Sequence, residues 1–221
     1  MEEITSQTKA KPRWRGVSHQ YGCFISMAFA LWLIVEAPTD MVRGIAAIYG
    51  CSLVALLGVS ALYHRINWNP TQRQWMRRLD HIMIFVLIAG SYTPVCTLVL
   101  EGDLGKTTLM IVWGAVVFGA IYKLLWLNGP KWIMAALCVL VGWVAVVTVG
   151  ELYARLGLAF IIWLGLGGLM YTIGAVVYAL KRPDPDPEVF GYHEIFHALV
   201  LGAAACHYIG FKIYIFDPLT H

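Results

Sequence analysis

The sequence predicts an all-α integral membrane protein, a bundle of seven transmembrane helices. Of its 221 residues, 59% are hydrophobic and only 13% are charged, whereas an average soluble domain has roughly 45–50% apolar and about 25% charged residues. The mean hydropathy is +0.68. A water-soluble globule of this size cannot bury so much apolar surface, so a lipid bilayer is the expected solvent. A net charge of +3 provides no basic face for nucleic acid, and membrane lipids are the expected partners.

Apolar stretches of about the length needed to cross the hydrocarbon core, ~20 helical residues, occur seven times. They cover residues 21–37, 43–66, 79–99, 107–127, 131–150, 157–180 and 191–215. Short connections rich in Pro, Gly, Asn and Asp separate them, as expected for interhelical turns. Lipid-exposed strands are excluded because their unpaired backbone groups are too costly in hydrocarbon. We expect residues 1–20 to form a cytoplasmic amino-terminal tail and residues 21–221 a single seven-helix domain.

The distribution of Lys and Arg predicts the orientation of the bundle, because cytoplasmic loops carry the excess of these residues. The amino-terminal side carries Lys9, Lys11, Arg13, Arg15, Arg65, Arg73, Arg77, Arg78, Lys123, Lys131, Lys181 and Arg182, and the other side carries Arg43, Lys106, Arg155 and Lys212. This imbalance predicts a cytoplasmic amino terminus and, with an odd number of spans, an external carboxyl terminus. The first twenty residues lack the apolar region of a removable signal peptide. The expected location is the cell (plasma) membrane.

The five cysteines lie in apolar runs and form no C-x-x-C pair: Cys23, Cys51, Cys96, Cys138 and Cys206. A disulfide framework or a thiolate metal site is therefore not expected. Buried cysteine commonly acts as a small hydrophobic residue.

Three of the predicted spans carry polar groups that are unusual inside a membrane. The second ends in S-A-L-Y-H, which places Ser60 and His64 on one helical face; the third opens with Asp80 in its first turn. The seventh opens with H-E-I-F-H, which places His193 and His197 on one face. With the predicted topology, all these groups fall at one depth near the cytoplasmic leaflet. Intramembrane ionisable residues are functional candidates by default.

Histidine and carboxylate ligands of this kind suit zinc, although iron, cobalt and nickel accept them too. Three histidines and a water in the fourth position would form an open, catalytic site. His81 points about 100° away from Asp80 around the helix, which favours a packing or supporting role. His207 lies roughly 15 Å along the axis from His197, too far to share that metal.

H-E-I-F-H also matches H-E-x-x-H, the zinc metalloprotease pattern in which the glutamate is the general base. Under this interpretation the chain is an intramembrane protease in which Glu194 activates water. The alternative makes Glu194 a carboxylate at a helix amino terminus, where the helix dipole stabilises negative charge. We favour the interpretation of Glu194 as a helix-terminal carboxylate, because the protease interpretation leaves Ser60 and His64 without a role.

The three motifs together resemble the hemolysin III family, the bacterial branch related to the progestin and adiponectin (adipoQ) receptors and, more distantly, to alkaline ceramidases. The resemblance is carried by S-A-L-Y-H at 60–64, L-D-H-I-M-I-F-V-L-I-A-G-S-Y-T-P at 79–94, and H-E-I-F-H with C-H-Y at 206–208. It covers all seven predicted spans in order. An upstream family motif is matched only in part, by Ser18 and His19, with Gly16 near the place of an asparagine.

The resemblance implies that the histidines matching His64, His193 and His197 bind Zn²⁺, that Asp80 reaches the metal through a water, and that Ser60 lies close by. Asp80 and Ser60 are then the candidate catalytic residues. The resemblance also implies that members of the family share H-x-x-x-H rather than H-E-x-x-H. The expected function is a zinc-dependent hydrolase of a lipid amide or ester. The alternative is a non-enzymatic sensor, receptor-like or cytolytic membrane protein with structural zinc.

Overall fold

The computed structural model describes residues 12–219, which contain helices and turns and no β-strand. The α-helices are α1 (Val17–Glu36), α2 (Asp40–Arg65), α3 (Pro70–Pro94), α4 (Gly102–Leu125), α5 (Lys131–Gly142), α6 (Val149–Leu180) and α7 (Tyr192–Phe211). Short π-helical turns extend α3 over Val95–Val99 and α7 over Lys212–Phe216, and a 3₁₀ segment, Trp143–Thr148, joins α5 to α6. The all-helical prediction is confirmed. Predictions for residues 1–11, including Lys9 and Lys11, lie outside the described residues.

Six helical stretches of the described chain are long and apolar enough to cross a membrane. Five correspond to predicted spans, and the remaining one, Lys131–Leu180, covers the predicted fifth and sixth spans together. This stretch is not straight: Gly157 interrupts it with a non-helical, positive-φ conformation, φ 76° and ψ 178°, which is open essentially to glycine alone. α5 also packs against α6. In a straight helix the two segments could not touch, because at least seven residues, a rise of about 10 Å, would separate them. The stretch therefore folds back on itself.

The third helix begins nine residues earlier than the apolar stretch predicted. The side chain of Asn69 accepts a hydrogen bond from the N–H of Gln72 at 2.9 Å, the side chain of Gln72 reaches back to the N–H of Asn69 at 3.4 Å, and Pro70 occupies the first turn. This capping box starts a helix whose first residues are polar. Asp80 therefore lies in the third turn of α3, and its predicted place in the first turn is wrong. Hydropathy marks the start of the apolar run, not that of the helix.

The helices surround a central space. α1 packs against α2, α2 against α3, α5 against α3 and α6, and α7 against both α6 and α1, while α4 packs mainly on the outside of α3. One apolar cluster joins α2, α6 and α7 at the end away from the histidines, around Tyr49, Phe160 and Phe211. A second lies at mid-depth around Leu57, Leu87 and Val200. These two apolar clusters do not fill the whole interior, and the space they leave contains the candidate functional site.

Glycines in α6 serve two different purposes. A side chain at Gly167 would collide with the ring of His207, and one at Gly174 would touch Phe196 at 3.4 Å, so these two permit the close approach of α7. Gly165 and Gly168 have nothing within 4 Å of an added Cβ and line the central space instead. Of these four glycines, Gly167 and Gly174 therefore lie at a helix contact, and Gly165 and Gly168 border the cavity.

Candidate metal centre

The three histidines predicted as ligands meet in one place. One potential ligand nitrogen from each of His64, His193 and His197 lies within 4.8 Å of the other two. The Nε2 atoms of His64 and His193 are 3.1 Å apart, a distance at which one ring donates a hydrogen bond to the other. The residues are 9%, 9% and 2% exposed. α2 and α7 are thereby joined by imidazoles 129 residues apart in the sequence.

Local structure explains how these rings converge. His193 and His197 are one turn apart on α7, so their side chains project from the same face. His64 lies in the last turn of α2, where Gly16 packs against it. An added Cβ on Gly16 would lie 2.6 Å from the Cβ of His64, and Gly16 has a φ of +78°. Both the left-handed backbone and the lack of a side chain are needed there.

Asp80 and Ser60 lie beside the histidines. The Ser60 hydroxyl lies close to the Asp80 carboxylate, and Ser60 is one turn before His64 on α2. Both residues line the same cavity as the three histidines. The structure thus brings together every residue predicted for the site, from α2, α3 and α7.

A fourth histidine, His19, is part of this cluster. Its ring stacks on that of His197 with centroids 3.7 Å apart and planes within 9°. His19 is 3% exposed, and within residues 12–219 neither of its ring nitrogens has a hydrogen-bond partner. In the sequence, His19 is marked only by the Ser18-His19 pair just before the first apolar run. That pair matches the upstream family motif only in part, so it predicts no role for His19.

The histidines form part of the wall of a large internal cavity of about 790 Å³. One end of this cavity is polar and is lined by Arg15, Arg73, Gln74, Arg77 and Lys131. The other end is mostly apolar and reaches Val95, Leu152 and Phe211. Cavities of this size are typical of sites for small molecules. A purely structural metal site needs no such space.

Glu194, the central residue of the protease-like pattern, faces away from this cavity. Its Oε1 accepts a hydrogen bond from Arg15 Nε at 2.5 Å, and its Oε2 accepts one from the N–H of Gly191 at 2.9 Å. It caps the amino terminus of α7, where a negative charge is stabilised by the helix dipole. With both oxygens occupied and no place on the cavity wall, Glu194 is not positioned to activate a water there.

The other two histidines near the cavity, His81 and His207, have hydrogen-bond partners outside the group of three histidines, and His81 Nδ1 also lies 4.0 Å from Asp80 Oδ2. His81 Nδ1 lies 2.6 Å from the carbonyl oxygen of Arg77, and its Nε2 lies 3.4 Å from the hydroxyl of Tyr178. His207 Nε2 lies 3.3 Å from the carbonyl oxygen of Leu164. Within the described chain, neither joins the group of three histidines that could hold a metal.

The donor set fits zinc. Zn–N distances of about 2.0–2.1 Å in a tetrahedral site place ligand nitrogens roughly 3.3 Å from one another. The His64 and His193 nitrogens are 3.1 Å apart, and all three histidines offer nitrogens within 4.8 Å of one another. His197 Nδ1 is buried and has no hydrogen-bond partner within residues 12–219. Three imidazoles, with a carboxylate close by and no thiolate, are ligands that zinc accepts. All five cysteines are free and none belongs to the group.

Comparison with known proteins identifies the family of this chain. A family model described as "Haemolysin-III related" matches residues 7–208. The chain belongs to that family. With the six apolar helices, membership makes it a multi-pass integral membrane protein. The resemblance found in the three sequence motifs is therefore confirmed.

Similar proteins occur in bacteria and animals. The chain is 32% identical to "Hemolysin-3 homolog" of Bacillus subtilis (strain 168) over 194 residues, which covers 86% of this chain and 87% of the relative. It is 31% identical to "Hemolysin-3" of Bacillus cereus, with coverage of 90% and 89%. It is 29% identical to the human "Monocyte to macrophage differentiation factor", with coverage of 79% and 72%. The likeness to the bacterial relatives extends over nearly their whole length.

Proposed function

We propose that this protein is a zinc-dependent hydrolase of an amide or ester bond in a membrane lipid. The observation that supports it is the placement of His64, His193 and His197 on the wall of an amphipathic cavity, next to Asp80 and Ser60. A metal with three protein ligands and access to a cavity retains a position for chemistry. The membrane-embedded cavity selects for a lipid substrate that enters between helices.

The residues around the histidines would share the chemistry of hydrolysis. When bound by His64, His193 and His197, zinc would lower the pKa of a water toward about 7 and polarise a substrate carbonyl. Asp80 would orient the attacking water and accept its proton. Ser60, which lies close to Asp80, would hold that carboxylate in place or donate to the developing oxyanion. The proton would then pass to the departing amine or alcohol.

The proposal includes the topology. The folded-back stretch Lys131–Leu180 supplies two arms on either side of Gly157, and each exceeds the ~20 residues that a span requires. Seven spans result, with a cytoplasmic amino terminus and an external carboxyl terminus in the plasma membrane. The polar end of the cavity then faces the cytoplasm.

The test combines metal analysis with turnover. Purified protein in detergent should contain about one zinc per chain, and His64→Ala and the double variant His193→Ala/His197→Ala should contain none. His207→Ala, a cavity histidine outside the group, is the matched control and should retain the metal. A screen of membrane lipids by mass spectrometry should show turnover that chelation and His197→Ala abolish.

The remaining outcomes separate the alternatives. If zinc is present and its removal lowers the melting temperature, but no lipid is hydrolysed, the metal is structural and the protein is a sensor or effector of lipid state. If the wild-type protein contains no metal and its melting curve shows a stable bundle, the zinc proposal is wrong.

A further inference from the structure

The polar end of the cavity carries three cations that have no carboxylate partner within residues 12–219. Arg73 places its guanidinium 5.6 Å from the ring centroid of Tyr63. Arg77 donates to the side-chain oxygen of Asn128 and to the carbonyl of Leu127, each at 3.1 Å. Lys131 donates to the hydroxyl of Tyr192 at 3.2 Å. All these partners are neutral, so the positive charges are not compensated.

The other charged groups on the wall do not balance them. Arg15, the fourth cation, is paired with Glu194. Asp80 is the sole carboxylate on the described wall of the cavity, one negative charge against the three unpaired cations. Charges act strongly on one another next to a low-dielectric interior, so an anion entering this end of the cavity would be attracted.

The order of residues along α3 places these cations at a fixed position relative to the candidate reacting centre. Arg73, Arg77, Asp80 and Ile84 follow one another at spacings of four, three and four residues, so they share one helical face. Arg73 lies about 10 Å before Asp80 along the axis, and Val95 lies about 22 Å beyond it. An apolar length of about 22 Å exceeds the ~15 Å of one bilayer leaflet. The cavity thus offers, in order, an anion site, the histidine cluster and room for a full acyl chain.

We infer that the cavity binds a lipid whose headgroup carries a phosphate, with Arg73 holding the phosphate and Arg77 and Lys131 adding positive charge beside it. This inference deepens the proposed function and rests on it for the cleavage step. Arginine suits the role because its planar guanidinium pairs with phosphate oxygens through two parallel hydrogen bonds. A lipid source is favoured over free phosphate because the apolar part of the cavity would otherwise remain unfilled.

Binding, rather than turnover, tests the inference. The purified protein, with its metal as isolated, is titrated in neutral detergent with ether-linked analogues of phosphatidic acid and of diacylglycerol, which have no acyl ester to hydrolyse and differ from each other only in the phosphate. Phosphatidic acid should bind at least about tenfold more tightly, the effect of one charge-assisted contact. Arg73→Gln and the double variant Arg73→Gln/Arg77→Gln should lose this preference progressively. A melting curve of each variant checks that the bundle is folded.

Arg65→Gln is the matched control, since Arg65 ends α2 on the same side of the bundle but does not line the cavity. It should keep the wild-type preference. Equal affinities for the two lipids, or an equal loss in Arg65→Gln, would overturn the inference. Inorganic phosphate that binds as tightly as phosphatidic acid would also overturn it. A phosphate preference without any hydrolysis would leave this inference standing and the proposed hydrolase wrong.

Discussion

A single glycine determines where one candidate ligand lies. Gly16 has left-handed backbone angles and packs against the Cβ of His64. Gly16→Ala should cost roughly 1–2 kcal/mol of folding free energy from its backbone angle and should displace His64. We expect zinc affinity, measured by competition with a chelator, to fall by about tenfold or more.

Gly44→Ala is the matched control for this prediction. Gly44 lies inside α2 with nothing within 4 Å of an added Cβ, so alanine there should leave zinc affinity unchanged. Wild-type affinity in Gly16→Ala would contradict the placement of His64.

His19 supports His197 through ring stacking. Aromatic pairs are worth about 0.5–1.5 kcal/mol, so His19→Ala should weaken zinc binding by about twofold to tenfold. His19→Phe keeps a stacking ring and should restore most of the affinity. Calorimetric titration of zinc into metal-free protein measures the zinc affinity of both variants. If phenylalanine is as harmful as alanine, the ring nitrogens of His19 matter instead of its stacking.

At the scale of elements, the start of α7 distinguishes the two interpretations of H-E-I-F-H. Glu194 bonds Arg15 and the backbone of Gly191, so Glu194→Gln should lower the stability of the bundle by about 1–3 kcal/mol. A thermal melt in detergent measures the loss. Zinc content and turnover per bound zinc should stay at the wild-type level. A general base would instead give a fall in turnover of about 10²–10⁴.

How far the sequence predicts the site depends on how local each signal is. The i, i+4 spacing places His193 and His197 on one face from helix geometry alone, and the order of the spans brings His64 and Asp80 to the same depth. The role of His19 is not predictable in this way, because its contact with His197 joins residues 178 positions apart and appears only when α1 and α7 pack together.

Helix boundaries were less predictable than the helices themselves. The start of α3 at Pro70 depends on the cap at Asn69 and on a polar first turn, which a search for apolar residues passes over. The break at Gly157 lies where the sequence predicted a boundary between two spans, although the helical structure continues on both sides of it.

At the scale of the whole molecule, the fold-back of Lys131–Leu180 determines whether the termini lie on opposite sides of the membrane. Seven spans require opposite sides. When expressed in bacteria, a fluorescent protein fused to the amino terminus should fluoresce, and alkaline phosphatase fused after the last residue should be active, since these reporters work in the cytoplasm and periplasm respectively. Reporters that place both termini on one side would show that Lys131–Leu180 crosses only once.

At Gly165 and Gly168, α6 leaves the apolar part of the cavity open. Because an added Cβ at either position meets nothing within 4 Å, a large side chain there would project into the apolar part of the cavity without displacing a helix. Gly168→Phe should therefore shift lipid preference toward shorter chains while zinc content is unchanged, measured by comparing lipids of graded chain length. The expected site of chain-length selection on α6 and the candidate metal ligands on α2 and α7 thus lie on different helices, so a substitution can change one without changing the other.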